Sequence, residues 1–347
     1  MISIILPIRN EELYIEKCLN TILTQNFPLN KVEVLIADGM STDNTRSIVR
    51  DYSLEHPILE IYIIDNHHKI VSSGMNKALR QAKGDIIIRV DGHCLIAPDY
   101  ITNCVNHLQN EEVDGVGGPM KSIGETALAE TIAIGMSSPF GVGNSTFRTT
   151  TGITKLVDTV PFPAYTRKII EKVGLYDEEL VRNQDDEYNF RIREQGGKIL
   201  LAEDVKSTYF SRGSLGDIWK QYYQYGFWKV RVLQKHPRQM SLRQFAPPVF
   251  VMTLLISAIL AIFPTTRLFS LFIPILYLIT NIGASIITSM KKGWKHLPLL
   301  PIVFAILHLS YGSGFLIGLI KFVNRWGDKK GKVPDFDFNS VRSNNAK

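Results

Sequence analysis

Over its first ninety positions the chain gathers apolar residues into short runs, each closed by polar or turn-forming residues. Ile2–Ile8, Val32–Ala37, Leu59–Ile64 and Asp85–Val90 are four such runs. Their length and β-branched content are those of buried strands. Between them, apolar positions fall at helical spacing. Leu13, Cys18, Leu19 and Ile22 share one face of a helix predicted from Glu11 to Gln25, which Asn10 can cap. Ser41-Thr42-Asp43-Asn44 opens a second helix through Arg50, and Val71–Ala82 reads as a third. Strand and helix in alternation predict an α/β fold with a mostly parallel, Rossmann-like sheet and helices on both faces.

Periodicity weakens further on. Gly115–Thr159 is rich in Gly, Ser and Thr and reads as loops and short strands lining a cleft. Phe162–Gly174 reads as a turn and a helix, and Leu215–His236 as an amphipathic helix containing Gln221-Tyr222-Tyr223-Gln224-Tyr225-Gly226-Phe227-Trp228-Lys229. Three segments without charge follow: Gln244–Thr266, Leu268–Met290 and Leu297–Ile320. Each reaches the ~20 residues that cross a bilayer. Three in succession, separated only by Arg267 and by Lys291-Lys292-Gly293-Trp294-Lys295, read as membrane helices rather than buried core helices.

Charge divides the chain at the same place. Residues 1–245 hold 28 Lys+Arg against 30 Asp+Glu, and residues 246–347 hold 11 against 3. The basic character belongs to the C-terminal part, and no nucleic-acid motif is present, so nucleic acid is excluded as a partner of the body. From Lys206 to Arg243 there are eight basic residues and one acid, Asp217. Aromatics among cations just before apolar segments suit a helix at the lipid headgroups; a solvated basic linker is the alternative. Met1–Pro7 lacks the basic region of a signal peptide, so the body is expected on the cytoplasmic side. Cys18, Cys94 and Cys104 show no metal-type spacing and read as ordinary thiols.

Three of the four early strands end in polar residues: Arg9-Asn10-Glu11, Asp38-Gly39 and Asp91-Gly92-His93. In an open α/β sheet these ends share the rim where ligands bind. Asp91 and His93 offer an oxygen and a nitrogen ligand two residues apart, with Gly92 expected to let the backbone turn between them. They could hold a divalent cation over a diphosphate, or cap the following element. No P-loop and no Gly-x-Gly-x-x-Gly follows the first strand, which excludes the common ATPase and dinucleotide classes. A second carboxylate cluster, Gln184-Asp185-Asp186-Glu187, opens a helix. Acids favoured by the helix dipole and a general base with a raised pKa both fit that position.

In order along about residues 1–230, these motifs resemble family 2 glycosyltransferases. The resemblance implies the GT-A fold and inverting, metal-dependent transfer from a nucleotide sugar, with UDP the expected nucleotide. Pro7-Ile8-Arg9-Asn10-Glu11 resembles the family's first nucleotide-binding segment. Ala37-Asp38-Gly39-Met40-Ser41-Thr42-Asp43 resembles its Asp-Gly-x-Ser-x-Asp motif, which would set Asp38 against the uracil, with Ser41 and Asp43 beside it. Gly74-Met75-Asn76-Lys77 resembles the approach to the metal motif and adds Asn76 and Lys77 to the nucleotide contacts. Asp91-Gly92-His93 stands where the family usually has Asp-x-Asp, so the resemblance makes Asp91 and His93 the metal ligands, with Asp91 also facing the nucleotide. Imidazole tilts the preference from Mg²⁺ towards Mn²⁺.

Alignment through Arg191 implies that Asp185 is the catalytic base, with Asp186 one residue away as the other candidate. Gln184, Gln224 and Trp228 are then expected at the acceptor or its diphosphate. Gln184 replaces the family's glutamate, and Gln224–Trp228 lacks the arginine of the related Gln-x-x-Arg-Trp motif.

The layout resembles bacterial exopolysaccharide and succinoglycan-assembly enzymes. It implies a polyprenyl-linked saccharide acceptor at a cell inner membrane, with bare polyprenyl phosphate as an alternative acceptor and an inactive nucleotide-sugar-binding scaffold as an alternative role. The expected organisation is a GT-A domain over 1–230, an interfacial region over 205–245, two to three transmembrane helices over 246–322 and a basic polar tail over 323–347. Three spans would place that tail outside, whereas Lys321, Arg325, Lys329, Lys330 and Lys332 favour the inside. The third segment, interrupted by Tyr311-Gly312-Ser313-Gly314, is therefore expected to be re-entrant or interfacial.

Overall fold

A computed structural model describes residues 1–143, 145–149, 152–211 and 213–337. Asn144, Thr150 and Thr151 of the Gly/Ser/Thr-rich stretch, Arg212 of the basic stretch, and residues 338–347 of the tail lie outside the described residues. The strands are β1 Ile2–Ile8, β2 Val32–Asp38, β3 Glu60–Asp65, β4 Ile86–Arg89, β5 Cys94–Ile96, β6 Gly115–Gly117, β7 Met120–Ile123, β8 Lys155–Leu156, β9 Ala164–Thr166, β10 Ile199–Leu201 and β11 Ser207–Phe210. The helices are α1 Ile15–Leu23, α2 Thr45–Glu55, α3 Val71–Leu79, α4 Tyr100–Asn110, α5 Ala127–Met136, α6 Pro139–Val142, α7 Thr146–Thr149, α8 Arg167–Val173, α9 Gln184–Glu194, α10 Leu215–Lys235, α11 Ala246–Leu260, α12 Arg267–Ser270, α13 Phe272–Lys292 and α14 Leu300–Lys321.

The chain forms two compact units. The first joins Met1–Lys121, Thr150–Tyr209 and the tail from Lys330; the second joins Ser122–Thr149 and Phe210–Lys329. In the first unit an eight-stranded sheet runs β3-β2-β1-β4-β9-β6-β10-β8. Its first four strands are parallel, with Ile4 of β1 opposite Val34 on one side and Ile88 on the other. β9 enters antiparallel between β4 and β6, so the second half of the sheet is mixed. β1 and β2 are buried on both faces, as strands sheathed by helices must be. Their shared direction brings the carboxyl ends of β2, β1 and β4 to one rim.

Two expectations need correction. Gly115–Thr159 contains a full helix, α5, capped by the Thr126 hydroxyl, which accepts from the Ala129 amide. This helix is apolar nearly all round, so it gives no amphipathic signal. The helix expected from Glu11 begins instead at Ile15, because residues 10–12 are drawn into bonds with the loop after β2.

The second unit gathers three helices long and apolar enough to cross a membrane, over Leu242–Leu260, Arg267–Lys292 and Leu300–Lys321. The third is continuous through Tyr311-Gly312-Ser313-Gly314. Its glycines do not break it; they let α10 approach. A Cβ on Gly314 would lie 2.1 Å from the Tyr223 carbonyl oxygen, and one on Gly226 would lie 2.0 Å from that of Tyr311. Backbone cannot retreat as a flexible side chain can. Gly314→Leu should therefore lower the melting temperature of detergent-solubilised protein by several degrees, whereas Gly283→Leu, with nothing within 4 Å, should not.

Candidate active site

The rim is built from two loops that lock each other. After β1, Asn10 takes a left-handed conformation (φ 56°), and its amide donates to the Ser41 hydroxyl at 2.9 Å. The Asn10 side-chain carbonyl accepts from the Thr42 amide at 2.9 Å, and the Glu11 amide donates to the Thr45 hydroxyl at 2.8 Å. Asp43 accepts from the Glu12 amide and, through its other oxygen, from the Thr45 amide and hydroxyl. Burial pushes the Asp43 carboxyl up, but these donors outweigh it and hold the group below the usual carboxylate range. Asp38, 1% exposed, accepts from the Ser41 amide and hydroxyl, with Arg46 Nε 3.5 Å away. Met40 between them has φ 57°, a conformation that costs a β-carbon residue of order 1 kcal/mol and persists only when its surroundings impose it.

β4 supplies the next wall. Asp91 and His93 follow it, and the chain turns between them at Gly92, with the Cys94 amide donating to the Asp91 carbonyl at 2.9 Å; Gly92 meets a second need as well. Its φ is not positive; a Cβ there would lie 2.9 Å from Glu11 Cγ. The missing side chain makes room for Glu11, whose carboxylate lies 2.8 Å from His93 Nδ1. A carboxylate beside Nδ1 fixes the proton there and leaves Nε2 as the basic nitrogen. That Nε2 is buried and has no hydrogen-bond partner. Tyr209 packs its ring against the imidazole at 4.8 Å.

The residue that organises the site is Arg89, the last of β4. It is 7% exposed, and its Nε and Nη2 reach Asp91 Oδ1 at 3.0 and 2.9 Å. Its Nη1 donates to Asp185 Oδ1. One guanidinium thus joins two carboxylates separated by 94 positions, 91 and 185. Asp185 sits in the first turn of α9, which starts from Asn183 in a left-handed conformation (φ 61°). Burial, with Asp91 and Asp186 nearby, raises the Asp185 carboxyl above its ordinary range, and Arg89 opposes the shift. The side chain still reaches solvent, at 35% exposure. Behind it, Tyr176 stacks on Tyr188 at 4.0 Å. The Tyr176 hydroxyl and the Gln184 side-chain oxygen are both buried without a hydrogen-bond partner. In a folded protein such atoms await a ligand or water.

Asn76 does not face the rim: it is fully buried, and its amide exchanges bonds with the Tyr176 backbone. Lys77 donates to the Asp65 carbonyl at 2.6 Å. Arg191, the anchor of the alignment, pairs with Glu187 and holds the carbonyls of Val173 and Leu175. Pro7, which pairs with Ala37, and Arg9 lie at the end of β1. Gln224 and Trp228 belong to α10 of the second unit, where Trp228 packs on Phe322 at 5.7 Å. Arg89 and Tyr176 were not singled out from the sequence. A lone arginine closing an apolar strand was the available signal.

Among the described residues no three His, Cys, Asp or Glu side chains gather as a metal group. The protein would bring two ligands, His93 Nε2 and Asp91, whose Oδ1 is also held by Arg89. That suits Mg²⁺ or Mn²⁺, which take remaining ligands from phosphate oxygens and water. The unpartnered Nε2, backed by Glu11, is the arrangement that metal-bound imidazoles use, so these residues fit a cation.

The glycosyl transferase family 2 model matches residues 3–174. The chain is 29% identical over 327 residues to a dolichyl N-acetyl-alpha-D-glucosaminyl phosphate 3-beta-D-2,3-diacetamido-2,3-dideoxy-beta-D-glucuronosyltransferase of Methanococcus voltae, covering 92% of this chain and 97% of that one. It is 27% identical over 325 residues to the succinoglycan biosynthesis protein ExoA of Rhizobium meliloti, covering 93% and 96%. In fold it is similar to a mannosyltransferase of Pyrobaculum calidifontis, solved with GDP-Man and Mn²⁺, at a TM-score of 0.55 and 20% identity over 89% of this chain and 86% of that one. With its parallel half-sheet, its rim and these relatives, the chain belongs to glycosyl transferase family 2 and is a glycosyltransferase with the GT-A fold.

Proposed function

We propose that the chain transfers a sugar from a UDP-sugar to a lipid-linked saccharide in polysaccharide assembly, with inversion at the anomeric carbon. The observation that carries this reading is the Arg89 fork: it sets a candidate base, Asp185, beside the carboxylate of the Asp91–His93 pair. Asp185 takes the proton of the acceptor hydroxyl as that oxygen attacks opposite the leaving diphosphate. Asp91 and His93 hold the diphosphate side, where a bound divalent cation would neutralise the charge that develops. Asp38 and the interlocked loops 9–12 and 41–45 shape the nucleotide end, at about two strand spacings, roughly 10 Å, from Asp91. Gln184 and the Tyr176 hydroxyl offer partners to the acceptor. Asp185 is favoured as the base because Arg89 Nη1 donates to its Oδ1 and so fixes it beside Asp91.

The two full-length relatives support the acceptor class, since their names refer to a dolichyl phosphate sugar and to succinoglycan. The apolar helices support a membrane location, with the catalytic unit on the cytoplasmic face where nucleotide sugars occur. Confinement to that surface raises the effective concentration of a lipid-borne acceptor.

The test is a screen for nucleoside diphosphate release across nucleotide sugars, with membranes containing the protein and Mn²⁺. Release from one UDP-sugar, dependent on a lipid extract, is expected; no acceptor-dependent release from any donor would defeat the proposal. In the same assay, Glu11→Gln is expected to raise the half-saturating Mn²⁺ concentration about 10–100-fold, because it weakens the support behind His93. An unchanged requirement would mean that the Glu11–His93 contact serves only the fold.

A further inference from the structure

We infer that α14, the third apolar helix, does not cross the membrane but lies along it on the side of the catalytic unit, so that the chain crosses twice, through α11 and α13. Two separate contacts pin the two ends of α14 to that side. Just before it, Lys295 Nζ lies 2.8 Å from Glu130 Oε2, and His296 Nδ1 lies 2.8 Å from the Thr131 hydroxyl. Glu130 and Thr131 belong to α5, within Ser122–Thr149, and both flanks of that stretch belong to the catalytic unit. A stretch that leaves and returns would need two spans of ~20 residues to cross. Its one long helix, α5, has 10 residues, so α5 and the start of α14 stay on the catalytic side.

The other end returns as well. The Lys332 amide donates to Asp177 Oδ1 at 2.8 Å, and the Glu178 amide donates to the Lys332 carbonyl at 3.0 Å. Arg80 lies over the Phe336 ring at 5.5 Å. The tail is thus fastened to the catalytic unit itself. A helix that starts and ends on one side has not crossed.

Packing agrees. α10 runs beside α14, with Gly226 against Tyr311, Gly314 against Tyr223, Gly318 against Phe227, and the Gln234 side chain donating to the Phe322 carbonyl at 2.8 Å. α10 carries Lys220, Lys229, Arg231 and Lys235. A crossing by α14 would take these cations to bilayer depth, where charge is strongly disfavoured. The most apolar stretch of α14 is 44% buried within the protein, against 17% and 11% for the other two candidate spans, which turn their side chains outward. The exposed apolar residues at the C-terminal end of α14 and beyond, Ile317, Ile320, Val323 and Trp326, stand beside Lys321 and Arg325. That mixture suits the boundary between headgroups and acyl chains. Lys291 and Lys292 at the end of α13, and Lys295 before α14, also fall on the catalytic side in this arrangement.

Single-cysteine labelling tests it with the full chain in sealed membranes. Cys18, Cys94 and Cys104 are buried and give little background. Reporter variants are Glu55→Cys on the catalytic unit, Thr265→Cys between α11 and α13, Lys292→Cys before α14, and Lys330→Cys after it. Each is checked for retained transferase activity. With an impermeant maleimide, Glu55→Cys, Lys292→Cys and Lys330→Cys should react from one side and Thr265→Cys from the other. Lys330→Cys or Lys292→Cys reacting opposite Glu55→Cys would overturn the inference, as would Thr265→Cys reacting on the same side. Lys291→Cys and Lys329→Cys replace any variant that fails to accumulate. Because sidedness is read against Glu55→Cys, the result is independent of which face the catalytic unit occupies.

Discussion

Asp185→Asn is expected to lower kcat for sugar transfer by about 10²–10⁴-fold, the usual worth of a positioned general base. The amide keeps the shape of the carboxylate and still offers Arg89 an acceptor, while Arg89 keeps its two bonds to Asp91. The donor KM should therefore change little. The fold should survive too, and linkage supports this. A carboxyl whose folded pKa is raised binds its proton more tightly in the folded than in the unfolded chain, so folding stability falls as pH rises through the interval between the two values. At neutral pH the ionised Asp185 is thus a small liability, and asparagine removes it. The measurement is nucleoside diphosphate release with saturating donor, beside a thermal melt in detergent. Asp186→Asn should stay within a few-fold of the parent. If the large loss appears in Asp186→Asn instead, the base lies one residue on; if neither variant loses activity, the proposed chemistry is wrong.

How far these features could be read from the sequence follows from which forces act locally. β1, β2 and β4 were legible because strands buried on both faces are mostly apolar: Ile2–Ile8 and Val32–Asp38 depart from this within the sheet only at Ser3 and Glu33, which bond to each other, and at the terminal Asp38. β3, the edge strand, was legible from its β-branched residues instead. The rim followed, since parallel strands put Asn10, Asp38 and Asp91 at one edge whatever the loops do. The carboxylate cluster at 184–187 was legible as a possible base, but the choice of Asp185 within it came only through resemblance. The approach of Asp185 to Asp91 depends on β9 entering antiparallel beside β4, a pairing set by tertiary packing rather than by any local period. α5 was missed because a helix apolar on all sides has no amphipathic stripe. The glycines of α14 misled because the same residue type that breaks an isolated helix also admits a neighbouring backbone, and only the position of Tyr223 tells the two apart. The turn at Gly92 was legible; that the space it frees is filled by Glu11, 81 positions earlier, was not.

Arg89→Met should produce the second large effect, and it separates two roles that Asp185→Asn leaves joined. Removing one partner of a fully buried ion pair typically costs about 3–5 kcal/mol; Asp91 and Asp185 keep 22% and 35% of their side-chain surface in solvent, so the cost here should be smaller but still appreciable. Here two carboxylates are left, Asp91 and Asp185, with Asp186 beside them. The protein should melt at distinctly lower temperature, and where it is still folded its pH profile should move. Asp185 must be ionised to accept a proton, so kcat falls as pH drops through its pKa. Burial already places that fall above the ordinary carboxylate range, and Arg89 holds it down. Without the guanidinium the acidic limb should shift to higher pH, so that activity recovers in part under alkaline conditions. Arg89→Lys keeps the charge but cannot grip two carboxylates with a planar fork, so its limb should lie between the other two. A destabilised Arg89→Met enzyme whose acidic limb stays in place would show that Arg89 supports the fold without setting the proton affinity of Asp185.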